Sequence, residues 1–97
     1  MARPTKPRII RKELRIRQFS PRGRRGRPGY LELKIEEAEA IRLSDHLDLN
    51  QRDAAEFMGI SQQTFSRVLN NARKQMAEAL TKGLIINIKG GDFKIEK

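Results

Sequence analysis

The apolar positions follow two different rhythms. From Phe65 they recur at steps of three and four, through Leu69, Ala72, Met76 and Leu80, which is the spacing of one helix face. This predicts a long helix over about 62–80, with Ser61 as its N-cap and Gly83 as its stop. A shorter helix is predicted over Gln51–Met58, with Asn50 as N-cap, Asp53 three residues on, and Gly59 as its break. Ahead of it, Ile35 to about His46 reads as helical, with Ala38, Ile41 and Leu43 available for burial. Glu36, Glu37 and Glu39 fall in its first turns, where carboxylates suit the helix dipole and meet solvent.

Towards both ends the rhythm shortens to two. Residues 9–19 alternate in part through Leu14 and Ile16, which predicts a strand with one basic face. In the tail, Ile86 and Ile88 alternate with polar residues, Lys89-Gly90-Gly91-Asp92 signals a turn, and Phe93 and Ile95 alternate again. The tail therefore reads as a hairpin or a strand. An isolated hairpin is marginal in water, so pairing with the 9–19 segment of this or another subunit is expected. Residues 1–8 read as a disordered arm, and 20–29 as an Arg/Gly/Pro loop through which no helix can run. The expected fold class is mainly α, a three-helix core with a small β element from the N- and C-terminal segments. Its parts are the arm, strand and loop over 1–30, the helical domain over 31–83, and the β segment over 84–97.

Charge changes this picture. The net charge is +9, but it is not spread evenly. Residues 1–30 hold eleven Lys/Arg and one acid, Glu13, whereas residues 31–97 hold ten Lys/Arg and eleven acids. The whole excess is an N-terminal block, which points to a polyanion and most often to nucleic acid. Arg25-Gly26-Arg27-Pro28 is the core of an AT-hook, a short extended peptide that lies in the DNA minor groove.

Gln51–Asn70 is the most informative stretch. Two short helices packed at a steep angle, as in a DNA-binding helix-turn-helix, need a small residue where they touch, and Ala55 fills that place. Four residues on, Gly59 supplies the turn residue that tolerates positive φ. Ala54, Met58, Ile60, Phe65 and Val68 provide the apolar flanks, and Ser61, with Thr64, caps the second helix. The outer face of that helix carries Gln62, Gln63, Ser66, Arg67, Asn70 and Asn71. Gln and Asn pair bidentately with adenine, and Arg with guanine. Base reading is thus assigned to Gln62, Gln63, Ser66, Arg67 and Asn70. Arg73 and Lys74, further along, are placed for phosphate. Arg22, Arg24, Arg25 and Arg27 of the loop are assigned to the DNA backbone or minor groove.

At this point the residues carry a resemblance. The stretch from Glu37 to Leu80 resembles region four of bacterial sigma factors, including its closing Ala72-Arg73-Lys74. Nearly the whole chain is similar to an uncharacterised bacterial and archaeal family of small predicted DNA-binding proteins with that sigma-like core. The family pattern has a Phe-x-Pro-x-Gly loop (Phe19 to Gly23), an M-G-[IV]-S-x-Q-T-F stretch (Met58 to Phe65) and a late G-G-x-[FY] (Gly90 to Phe93). The resemblance implies a helix-turn-helix that binds DNA, in transcription control. Many members have cysteines near the N-terminus and this chain has none, so no metal role carries over.

The absence of cysteine excludes disulfides and thiolate–metal sites, and no cofactor is expected. His46 is the sole histidine, and no nucleophile–base–orienter set accompanies it, so the chain does not read as an enzyme. No apolar run reaches the roughly 18 residues of a membrane helix. With no basic-then-apolar leader in view, a cytoplasmic protein is expected. Double-stranded DNA is the expected partner. A homodimer is also expected, because so small a chain has little apolar surface to bury alone. The alternatives are RNA binding, which the arginine-rich segment suits, and a docking module for RNA polymerase.

Overall fold

The computed structural model of the chain describes residues 7–23, 26–91 and 93–95, with the side chains of Phe93 and Lys94 excepted. Three helices and a small three-stranded sheet make up its body. The chain runs β1 (Arg8–Ile10), β2 (Gln18–Phe19), β3 (Tyr30–Leu33), α1 (Ile35–Ile41), a π-helical turn (Arg42–His46), α2 (Gln51–Met58), α3 (Gln62–Lys82), β4 (Ile85–Ile88) and β5 (Phe93–Ile95).

The helix starts and stops follow from single residues. Asn50 Oδ1 accepts from the Asp53 amide at 2.8 Å and opens α2. Ser61 Oγ accepts from the Thr64 amide at 3.1 Å and donates to Thr64 Oγ1 at 2.9 Å, opening α3. Gly59 and Gly83 close the two helices with φ of 66° and 65°, the left-handed region that a side chain disfavours. The turn from α2 to α3 is therefore only three residues long, Gly59 to Ser61.

The apolar interior has two parts. Ala40, Leu43, Ala54, Ala55, Met58, Phe65 and Leu69 are buried together where α1, α2 and α3 meet. Ala55, at 2% exposure, is the small residue that lets α2 and α3 close on each other. Leu33, Ala38, Ala72 and Ile88 form a second cluster, which fastens the sheet to α1 and α3.

The β element differs from the sequence expectation in three ways. The 9–19 segment is not one strand. Its ends, β1 and β2, pair with different partners, and the residues between turn instead, with Arg17 Nε donating to the Leu14 carbonyl at 2.9 Å. The tail is not a hairpin. β4 lies at the centre of a sheet ordered β2-β4-β3, antiparallel to β2 and parallel to β3, so both of its edges are taken. β5 pairs instead, in parallel, with β1. The expected pairing of tail with 9–19 does occur, at both ends of that segment. The third difference is β3, a four-residue strand too short to show alternation. The entire helical unit is thus the crossover connecting two parallel strands.

Two helical expectations also change. The first helix ends as an α-helix at Ile41 and continues as a π-helical turn to His46. In α3 the apolar stripe buries Phe65, Leu69 and Ala72, but then Ala79 rather than Met76 and Leu80, which are 38% and 87% exposed. Beyond Ala72 the helix has run past α1 and α2, and only the sheet side remains to cover it. Among the described residues no helix is long and apolar enough to cross a membrane.

Candidate nucleic-acid interface

The outer face of α3 is built by the short turn before it. Ser61 fixes where the helix begins, and burial of Phe65 and Leu69 fixes its rotation. Gln62, Gln63, Arg67 and Asn70 then emerge exposed on the opposite side, with Ser66 half-buried at the border. At 100° per residue these five share one face. Lys74 continues it. Neither Arg67 nor Lys74 makes an ion pair with any described residue, so both charges remain available to a ligand.

Two neighbours on α3 are engaged differently. Asn71 Nδ2 donates to Glu37 Oε2 in α1. Arg73 forks onto Asp45 of the π-helical turn, Nη2 to Oδ1 at 2.7 Å and Nε to Oδ2 at 3.2 Å. That hydrogen-bonded fork raises the Arg73 pKa and holds the Asp45 carboxyl below its ordinary value. Arg73 can meet phosphate only by sharing or releasing this partner.

The Arg/Gly/Pro loop lies elsewhere. It springs from β2 and returns at β3, and Gly29 accepts from the Ile85 amide at 2.9 Å. Its anchors therefore sit at the C-terminal end of α3, whereas Gln62 sits at the N-terminal end, about 30 Å away at 1.5 Å per residue. Arg22 and Arg27 are exposed on this loop, and Arg24 and Arg25 lie outside the described residues, as does most of the 1–8 arm. The structure does not bring the loop anchors and the outer-face residues of α3 together.

The three glutamates of α1 are not solvated as expected. Glu36, Glu37 and Glu39 are 6%, 3% and 2% exposed. Glu36 Oε2 lies 2.9 Å from Arg8 Nε in β1. Glu37 Oε1 accepts from the Lys34 amide at 2.9 Å. Glu39 accepts both Nε and Nη2 of Arg42, at 2.7 and 2.9 Å, and the Arg11 amide at 2.7 Å. Arg42 is raised in pKa by that hydrogen bonding. Buried carboxylates are tolerated only when so paired. The available signal was the basic 1–30 block itself, which offered partners that a helix-by-helix reading assigns to solvent. Among the described residues no group of His, Cys, Asp and Glu could hold a metal ion.

A family model described as "Protein of unknown function DUF134" matches residues 1–96. The chain belongs to this DUF134 family. It is 47% identical to a UPF0251 protein of Methanothermobacter thermautotrophicus over 96% of this chain and 49% of the relative. It is also 47% identical to a UPF0251 protein of Clostridium novyi, over 96% of this chain and 64% of that protein. A third UPF0251 protein, from Halothermothrix orenii, is 44% identical over 100% of this chain and 73% of its own length. The DUF134 chain thus spans about half to two thirds of the first two relatives. No solved structure matches it significantly.

Proposed function

We propose that this DUF134 protein binds double-stranded DNA with sequence preference and acts in transcription control. The reading rests on one observation. A three-residue turn that begins with left-handed Gly59 and ends in the Ser61 cap sets a helix whose exposed face holds Gln62, Gln63, Arg67 and Asn70, with no acid among them. Amides and a guanidinium are the groups that read base edges bidentately in the major groove, and the N-terminal part of a recognition helix is the part that enters it. Ser66 completes the set at the border, and Lys74 lies in line for phosphate. In this reading α2 and α3 form a helix-turn-helix like that of sigma region four.

Selection of bound sequences from a random duplex pool tests the proposal. Enrichment of a defined motif is the expected result. Equal affinity for duplex DNA and for structured RNA of equal charge, with the same steep salt dependence, would leave only charge-driven binding and overturn it.

A further inference from the structure

Arg73 of α3 and Asp45 of the π-helical turn meet on a border of the outer face. Arg73 stands three residues beyond Asn70 and seven beyond Ser66, a spacing that keeps all three on one side of the helix. Both partners are open to solvent, with side chains 48% and 40% exposed. The turn that carries Asp45 is of a rare kind. Its Leu47 amide donates to the Arg42 carbonyl, five residues back, at 2.9 Å, and such single wide turns recur at functional sites. The wide turn sets the rotation at which Asp45 leaves its helix and meets α3.

The two-point contact gives the pair its meaning. A guanidinium presents a fork of N–H groups that fits a carboxylate and a phosphate alike. Asp45 fills that fork, with Nη2 on Oδ1 at 2.7 Å and Nε on Oδ2 at 3.2 Å. It therefore occupies the same donors that a DNA phosphate would need. Arg67 and Lys74, on the same helix, have no such acid among the described residues.

We infer that Asp45 competes with the DNA backbone for Arg73, an inference that rests on the DNA reading. Whichever anion the guanidinium takes, the other is left close by without a cation, so the pair adds no net charge at this border. Sequence-independent affinity grows with the number of phosphates neutralised, and in a chain of net charge +9 that contribution is otherwise large. Cancelling one cation beside the base-reading face lowers the hold on every duplex alike. The contacts of Gln62, Gln63, Arg67 and Asn70 are untouched, so they make up a larger share of the binding that remains.

The test is binding of the 97-residue chain to short duplexes of unrelated sequence over a range of salt. Asp45→Asn frees Arg73 at nearly unchanged shape. It should tighten binding to every duplex by the same factor, roughly fivefold or more at about 0.1 M salt, and steepen the salt slope by about 0.9, the value of one added phosphate contact. Adding Arg73→Gln to Asp45→Asn should remove the gain. Glu32→Gln makes the same change in net charge by freeing Lys89 from another exposed pair, beside the sheet, and should leave the slope unchanged. Circular dichroism checks that each variant is folded. The inference is overturned if the wild-type chain binds duplexes and Asp45→Asn leaves the slope where it was. It is also overturned if the gain survives Arg73→Gln, or if Glu32→Gln gives an equal gain, because net charge alone would then account for it. A wild-type chain that binds no duplex overturns the DNA reading, and the competition with it.

Discussion

Asn71 of α3 donates to Oε2 of Glu37, whose Oε1 accepts the Lys34 amide at the start of α1. One buried carboxylate therefore closes the first turn of α1 and ties it to the long helix. Asn71 sits on the border of the outer face, yet its amide is turned inward to this partner. Asn71→Ala should destabilise the protein by about 1–3 kcal/mol, the cost of leaving a buried acceptor short of a donor. It should not change base preference at any position. Chemical denaturation and duplex selection on the same variant check both halves.

The Glu39 carboxylate, with three donors, should be the more sensitive site. Arg42→Ala leaves a nearly inaccessible charge without its counter-ion, and a loss of about 3 kcal/mol is expected, at the lower end for a broken buried pair because Arg42 is half-buried. Arg42→Lys should retain part of the stability, since an ammonium restores charge but not the fork. Denaturant midpoints of the two variants give the comparison.

Gly59 carries two constraints at once. Its φ of 66° is left-handed, and a Cβ there would lie 3.0 Å from Ile9 Cδ1 of β1. Gly59→Ala should cost about 1–2 kcal/mol for the backbone alone. Adding Ile9→Ala removes the contact but not the backbone cost, so the double variant should not return to wild-type Gly59 behaviour in the Ile9→Ala background. A thermal-melt cycle of the four proteins reads this out.

The Asp45–Arg73 pair gives a pH signature. The carboxyl of Asp45 is held below its ordinary value near 3.8 by the Arg73 hydrogen bond. A lowered native pKa means that the folded state binds the proton less readily than the unfolded one. The stabilisation is therefore fully present above the ordinary value and is lost as pH falls through the lowered one. The pair is exposed, so the effect is small. Asp45→Asn should flatten the acid limb of the stability profile in that window, lowering neutral stability by that small amount and leaving stability below the lowered pKa unchanged.

If the outer face of α3 reads DNA, Arg67→Ala and Gln63→Ala should each relax preference at one base pair, by about 1–3 kcal/mol. Replacing Arg22, Arg24, Arg25 and Arg27 together should weaken binding to all duplexes alike and reduce the salt slope. Uniform loss across sequences from the two helix variants would remove them from base reading.

The helices were legible because their causes are local. Asn50, Gly59, Ser61 and Gly83 act on backbone groups within four residues of themselves, and the Phe65–Leu69–Ala72 spacing needs only a helix to become a face. Ser61 sets where the helix begins, and the Phe65–Leu69 face sets its rotation, so together they fix where Gln62, Gln63, Ser66, Arg67 and Asn70 fall. That the tail meets the 9–19 segment was legible, but which strand takes which end, and that β3 joins them, was not, because pairing joins residues far apart in the chain. Whether β4 meets β5 or lies between β2 and β3 depends on which edges remain open once the helical crossover has folded. The same holds for charge and burial. Glu36 and Glu39 look like solvated first-turn acids until β1 and the residue after it bring Arg8 and the Arg11 amide to them, and Leu80 looks like core until the helix outruns the body that would cover it. Local backbone chemistry thus determined the helices and the face α3 presents. Only the tertiary structure decided which charges were buried, which apolar side chains were left outside, and that the arginine loop is anchored at the far end of α3.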